Sequence, residues 1–180
     1  MMDKRNTVIL VNHKGEWLGT MDKLEAHRTG LMHRAFSVFV FNSAGDMLLQ
    51  RRASHKYHSG GLWTNTCCSH PFPGESTLHA AHRRLGEEMG FDCELRPLFE
   101  FSYQAEVGNG LTEYEYDHVY IGHSDELPEV NPEEVSEYQY LSPAEVAVQI
   151  GLYPERFTTW FRIVFPRIQA LVTQAQPCCP

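Results

Sequence analysis

The sequence contains no run of about 18 apolar residues, so it predicts no helix that spans a membrane. Its first residues lack the apolar segment of a signal peptide, and we therefore expect a chain that is not exported. The five cysteines include no CxxC pair, and a chain with this apolar content does not need disulfides. We expect a reducing, cytoplasmic setting.

Positive charge is also scarce, because 15 lysines and arginines face 23 acidic residues and give a formal net charge of −8. Such a chain lacks the basic surface that nucleic-acid binding needs. Its 180 residues, 42% of them hydrophobic, suffice for one domain and its core. We predict a single domain over residues 1–180, with a core at about 7–173 and a tail at 174–180.

Strand patterns dominate the first two thirds of the chain. Apolar stretches flank Lys14-Gly15 and predict an N-terminal hairpin, and Gly108-Asn109-Gly110 predicts a second, longer one. The residues at 35–41 are apolar almost throughout, which is typical of a buried central strand. The predicted strands span residues 7–11, 17–20, 35–41, 47–51, 63–67, 95–107 and 111–121.

Three helices are predicted from their ends. Ser76 is a suitable N-cap and Gly90 a suitable C-terminal cap for a helix over 76–89. Ser142-Pro143-Ala144-Glu145 combines a capping box with proline at the first helical position. A last helix at about 155–174 contains Pro166, which we expect to break or kink it. Together these elements predict an α+β domain.

The helix at 76–89 resembles the Nudix signature, in which acidic residues of a loop and helix hold a divalent cation against a diphosphate. The matching residues are Glu75, Arg83, Glu87, Glu88 and Gly90. Two positions depart from the signature, with Ser69 in place of glycine and Arg84 in place of a glutamate that activates water. These departures disfavour a conventional Nudix hydrolase. The alternative is a solvated amphipathic helix with an Arg84–Glu88 pair.

A second tract is more specific. Trp63-Thr64-Asn65-Thr66-Cys67-Cys68-Ser69-His70-Pro71, followed by Gly74-Glu75-Ser76, closely resembles the signature of the type I isopentenyl-diphosphate isomerases, a Nudix-fold family. The likeness runs from about Lys23 through Glu115 and recurs at Trp160. It implies a Nudix-like fold with mixed β-sheets packed between helices, an α/β/α sandwich.

The implied activity is the interconversion of isopentenyl diphosphate and dimethylallyl diphosphate by protonation and deprotonation, in isoprenoid biosynthesis. Two alternatives stay open. One is a Nudix hydrolase of a nucleoside or isoprenoid diphosphate, and the other is a catalytically silent metal-binding protein on the same fold. The implied partner is a small diphosphate, with no nucleic acid and no membrane, and the chain is a monomer or a homodimer.

The resemblance implies that Cys68 and Glu115 transfer the protons, with Tyr103 beside Glu115 and with Trp160 as the aromatic face for a positive charge. A thiol performs such transfers when its surroundings set its pKa suitably. The alternative for a cysteine is a small buried hydrophobe, which we expect for Cys67. The alternative for Trp160 is core packing.

The same resemblance implies a metal site. Its ligands would be three histidines and two glutamates, namely His27, His33, His70, Glu113 and Glu115. Glu113 and Glu115 stand two apart on a strand and so share a face, although alternating acids also occur on exposed hairpins. This mixed set of ligands accepts Mn²⁺, Mg²⁺ or Zn²⁺. We expect the other histidines to be inert: His13, His55, His58, His79, His82, His118 and His123.

Four cations match family positions that grip the diphosphate, namely Lys23, Arg52, Lys56 and Arg84. Arg51 and Arg83 are expected to be ordinary surface charges. Glu88 would hold a Mg²⁺ ion that bridges to the diphosphate, and the backbone carbonyl of Cys68 would share that ion. The pair Cys178-Cys179 in the tail has no role that the sequence indicates.

Overall fold

The computed structural model describes residues 4–175, so the tail residues 176–180, with Cys178 and Cys179, lie outside it. Within this range the chain forms nine strands, four α-helices and two short 3-10 helices at Lys4–Asn6 and Pro154–Arg156. The strands are β1 (Thr7–Val11), β2 (Trp17–Asp22), β3 (His33–Phe41), β4 (Met47–Arg52), β5 (Trp63–Thr64), β6 (Cys67–Ser69), β7 (Leu95–Gly108), β8 (Leu111–His123) and β9 (Val135–Leu141). The helices are α1 (Lys23–Thr29), α2 (Thr77–Met89), α3 (Pro143–Leu152) and α4 (Thr159–Ala175).

Strand β3 is the centre of a mixed sheet. It runs parallel to β8 along its whole length and antiparallel to β6, and it also bridges to β1 and β4. Strands β7 and β8 form the long predicted hairpin. At its tip Gly108, Asn109 and Gly110 all adopt positive φ, and a tip of this kind favours glycine at both outer positions.

Helices cover both faces of the sheet. Helix α2 packs Ala81, Leu85 and Met89 against one face, while α3 and α4 pack on the other through residues such as Val146 and Phe161. Two apolar cores therefore sandwich the sheet, and the predicted α/β/α architecture is confirmed. None of the helices within residues 4–175 has both the length and the apolar character needed to cross a membrane.

The structure differs from the predicted elements in four places. The strand predicted at 63–67 is two short strands, β5 and β6, which pair with different neighbours. Helix α1 and strand β9 were not predicted. The last helix begins at Thr159 and continues through Pro166 instead of ending there. Phe165 before the proline and Ile168 after it are both buried in the same core, which holds the helix together across the missing hydrogen bond.

Candidate active site

The sheet register brings the central residues of the site together. Cys68 on β6 lies opposite Ser37 of β3, and Glu115 on β8 lies opposite His33 at the start of the same strand. Because β6 runs antiparallel to β3, the chain that leaves β6 at His70 heads toward the His33 end of β3, where the Glu115 carboxylate lies. The Nε2 atom of His70 lies 3.0 Å from Glu115 Oε1.

The predicted metal ligands form two overlapping groups. His27, His33, His70 and Glu115 offer ligand atoms that lie within 4.8 Å of one another. Glu113 belongs instead to a group with His27 and His58, at the same limit. His27 is common to both groups and has only one free ring nitrogen, because its Nδ1 atom contacts the Lys23 carbonyl. The two groups therefore share one ligand atom and would compete for the same ion.

Backbone carbonyls set the orientation of the two buried histidines. The Nδ1 atom of His27 donates to the Lys23 carbonyl at 2.5 Å, and Nδ1 of His33 donates to the Leu31 carbonyl at 2.8 Å. Both Nε2 atoms then face the site, and neither has a hydrogen-bond partner within the described part of the chain. Unpartnered imidazole nitrogens beside carboxylates suit a divalent cation, and the carbonyls fix the tautomer that such an ion requires.

Two acidic residues on β8 are buried, and their carboxyl groups have raised pKa values. Glu113 and Glu115 occupy the buried face of the strand, and burial raises the pKa of both carboxyl groups. The Tyr103 hydroxyl lies 2.9 Å from a Glu113 carboxylate oxygen and 2.7 Å from a Glu115 carboxylate oxygen, so the two acids share its single proton as acceptors. Paired carboxyl groups in this setting retain protons unless a cation neutralises them, so this arrangement also fits a metal ion.

A third buried acid continues the row. Asp117 is 1% exposed, accepts a hydrogen bond from the Ser37 hydroxyl at 2.7 Å, and has a pKa raised well above its usual value by burial and by Glu115. It was not among the predicted site residues. The two-residue period that indicated Glu113 and Glu115 would have found it, because Asp117 stands at the next position of the same face.

His58, which we expected to be inert, lies inside the site. It is 5% exposed, its Nε2 atom is 3.4 Å from Glu113 Oε1, and its ring meets Trp160 edge-on. The residue comes from the loop between β4 and β5, which folds back over the cavity. No pattern in the sequence indicates this approach, since the loop has no periodic structure.

We predict that His58→Ala weakens metal binding by at least about tenfold, because His58 belongs to one of the two candidate ligand groups and loss of even an outer neighbour of a ligand typically costs this much. The measurement is a Co²⁺ titration of metal-free protein followed by visible absorption. His55→Ala is the matched control, because His55 lies on the same loop with 59% of its side chain exposed. Equal affinity in the two variants would contradict the prediction.

The predicted catalytic residues line one cavity of about 90 Å³, namely Cys68, Tyr103, Glu115 and Trp160. Burial raises the pKa of the Cys68 thiol, and Arg52 acts in the opposite direction. Cys67 is fully buried in the core beneath α2, in accord with the expected role of a small hydrophobe. The two neighbouring thiols thus point into different surroundings.

Trp160 serves the core and the cavity together. Its side chain is 4% exposed and belongs to the core cluster of α4, and it also forms part of the cavity wall. The Arg52 guanidinium lies 5.2 Å from the ring centroid, so the ring already contacts a cation. The two interpretations of this residue are therefore compatible.

The four predicted cations line the same cavity, namely Lys23, Arg52, Lys56 and Arg84. Burial lowers the pKa of the Lys23 ammonium, and the neighbouring charges of Lys56 and Arg84 lower it further. Arg51 instead pairs with Glu137 at the surface, as expected. A chain with a net negative charge thus concentrates cations at one cleft.

Glu88 is both part of the cavity wall and paired with Arg84. Its side chain is 4% exposed, and one carboxylate oxygen accepts from the Arg84 guanidinium at 2.5 and 3.1 Å. The other oxygen accepts from the Gln50 amide at 2.7 Å. The helix pair offered as the alternative interpretation is therefore present, but it lies in the cleft and is not an exposed surface pair.

Comparisons with known proteins agree with this geometry. A family model described as the NUDIX domain matches residues 31–161. The isopentenyl-diphosphate Delta-isomerase of Pectobacterium atrosepticum is 53% identical over 161 residues, which cover 89% of this chain and 90% of that protein. Isopentenyl-diphosphate Delta-isomerase 2 of Photorhabdus laumondii is 49% identical over 155 residues, covering 86% and 88%.

Solved structures show the same fold at lower identity. The crystal structure of DR0079 from Deinococcus radiodurans superposes with a TM-score of 0.74 at 22% identity, covering 89% of this chain and 98% of that one. A C. elegans Ap4A hydrolase superposes with a TM-score of 0.57 at 17% identity, covering 78% and 98%.

Proposed function

The chain belongs to the isopentenyl-diphosphate Delta-isomerases of the Nudix family, and on this basis we propose that it interconverts isopentenyl diphosphate and dimethylallyl diphosphate. The observation that carries the proposal is one small cavity lined by a thiol, by a carboxyl group hydrogen-bonded to a tyrosine, and by four cations. The four cations suit the charged diphosphate of such a substrate, and the thiol and the carboxyl group suit proton transfer to and from its branched five-carbon alkene.

The reaction needs one proton added to the terminal alkene carbon and one removed from C2. Addition of the first proton leaves a tertiary cation at C3, and loss of the second creates the new double bond between C2 and C3. Glu115, with the Tyr103 hydroxyl beside it, provides the acid. The Cys68 sulfur is the base at C2, and although burial raises the thiol pKa, Arg52 favours the thiolate that this role needs. In the reverse direction the two sides exchange roles. The Trp160 ring stabilises the intervening charge by cation–π attraction.

The histidine and glutamate groups would hold one divalent cation, and Mn²⁺, Mg²⁺ or Zn²⁺ suits this donor set. Bound there, the cation would neutralise the carboxylates of Glu113 and Glu115 and tune their affinity for protons. Glu88, together with the Cys68 carbonyl, would hold a Mg²⁺ ion on the diphosphate. Lys23, Arg52, Lys56 and Arg84 bind the phosphate oxygens and orient the alkene toward Cys68.

Hydrolysis of a diphosphate is the less favoured function. The position where the Nudix signature carries a glutamate holds Arg84, whose guanidinium is paired with Glu88. This arrangement leaves a cation where a hydrolase needs a carboxylate to activate water.

An isotope experiment separates these functions. We expect that incubation with isopentenyl diphosphate and Mg²⁺ in heavy water places deuterium at the terminal methyl group and at C2, as followed by proton NMR. Phosphate release measured in the same tube should stay at the level of a protein-free control. Phosphate release without deuterium incorporation would show a hydrolase instead.

A reducing, cytoplasmic location remains part of the proposal. Within the described chain Cys67, Cys68 and Cys93 are free thiols, and the proposed chemistry requires Cys68 to stay reduced. Assembly as a monomer or a homodimer stays a prediction.

A further inference from the structure

One acidic residue lies among the cations of the cleft. Glu134 immediately precedes β9, and its side chain is 22% exposed. A single carboxylate oxygen, Oε2, accepts from both the Lys56 ammonium and the Arg84 guanidinium, the latter at 3.1 Å. An acid at this place is unexpected, because it repels an anionic substrate.

The backbone fixes this carboxylate in place. The Glu134 amide donates to the Asn131 carbonyl, and the Glu134 carbonyl accepts from the Ala53 amide, both at 2.9 Å. The Asn131 amide in turn donates to the Glu88 carbonyl on α2 at 2.9 Å. The turn that carries Glu134 is thus tied to the loop that carries Lys56 and to the helix that carries Arg84.

Glu134 differs from an ordinary surface acid such as the nearby Glu137. Glu137 pairs with Arg51 at 3.2 Å, and both side chains are about half exposed. Glu134 instead lines the cavity itself and uses donors of two cations that the proposed function assigns to the diphosphate. A carboxylate oxygen and a phosphate oxygen compete for the same N–H donors.

We propose that Glu134 is a built-in counter-anion that holds Lys56 and Arg84 together in the free protein and is displaced by the diphosphate. It thereby sets how tightly the cleft binds anions. Its absence would leave the cations unbalanced, and Glu134 is indeed the neighbour that raises the pKa of Lys23 against the lowering by burial and by the other cations. The inference rests on the proposed function only for the identity of the natural anion.

The test uses inorganic diphosphate as the probe, with Glu134→Gln compared with wild type and with Glu133→Gln. Glu133 is the matched control, because it is the adjacent residue and 84% of its side chain is exposed. Calorimetric titration without Mg²⁺ should give a dissociation constant about tenfold lower for Glu134→Gln, since the internal competitor is gone, and an unchanged one for Glu133→Gln. The melting temperature of Glu134→Gln without ligand should fall below that of wild type, and diphosphate should raise the melting temperature of this variant by more than it raises that of wild type.

Unchanged or weaker diphosphate binding in Glu134→Gln would overturn the inference, because a purely structural ion pair or a positioning role gives one of these results. The titration involves no double bond and no proton transfer. A failure of the isomerase proposal in heavy water therefore leaves this test intact, and each proposal can fail alone.

Discussion

Replacement of Cys68 by alanine is expected to lower kcat for isomerisation by at least roughly 10³-fold while the protein stays folded. The variant keeps the cavity, its cations and the proposed metal ligands, and loses only the thiol to which we assign proton exchange at C2. Because Cys68 is only partly buried, the missing sulfur leaves a small gap, and the melting temperature should change little. Deuterium incorporation at C2 reports the loss directly.

Cys93→Ala is the control for this variant. Cys93 is a partly buried free thiol that packs near the end of α2, away from the cavity. We expect full activity from it. If Cys68→Ala retained more than about a tenth of wild-type kcat, the thiol would not be a proton-transfer group.

Glu115→Gln should also abolish isomerisation, by at least roughly 10³-fold in kcat, because the amide neither carries the proton nor supplies an anionic oxygen.

The same variant should stabilise the metal-free protein at pH 8. Burial raises the pKa of the Glu115 carboxyl group above its ordinary value of 4.5. The neutral carboxyl group therefore stabilises the fold below pH 4.5, and this stabilisation is lost as the pH rises to neutral and the buried group ionises. Burying the ionised carboxylate at pH 8 costs on the order of 2 kcal/mol, and the uncharged amide avoids this cost.

Urea unfolding with a chelator at pH 5 and pH 8 measures the effect. The difference in unfolding free energy between Glu115→Gln and wild type should be small at pH 5 and favour the variant at pH 8. Glu137→Gln, an exposed acid, should show no such pH dependence. A variant less stable than wild type at pH 8 without metal would mean that the carboxylate is not strained by burial.

Elements with distinct ends were predictable from the sequence. Ser76 caps α2 by accepting from the His79 amide, and Gly90 ends it in the left-handed conformation that glycine favours. Helix α1 escaped prediction because seven residues are too few to establish a helical period. Strand β9 escaped because only Val135 on it is buried, so its alternation of apolar and polar residues is weak.

The residues of the candidate site were likewise predictable only in part. The period of β8 indicated that Glu113 and Glu115 share a face, and the family resemblance supplied Cys68 and the histidines. His58 and Glu134 stayed hidden because irregular loops bring them in from far along the chain. The Glu134–Lys56 pair, for example, joins residues 78 positions apart. Such contacts depend on the folded path of loops, which local sequence patterns do not encode.

Helix α1 positions residues on two sides of the cleft at once. Its first residue, Lys23, directs its ammonium to the phosphate side while its carbonyl fixes His27 on the metal side, and Asp22 and Gly30 cap the two ends. Two short turns of helix thus anchor both the proposed phosphate side and the proposed metal side of the cleft. Insertion of a single residue between Lys23 and His27 would break the contact between the Lys23 carbonyl and the His27 ring, because that contact depends on the four-residue spacing of one helical turn. The length of this short helix therefore matters to both sides of the cleft.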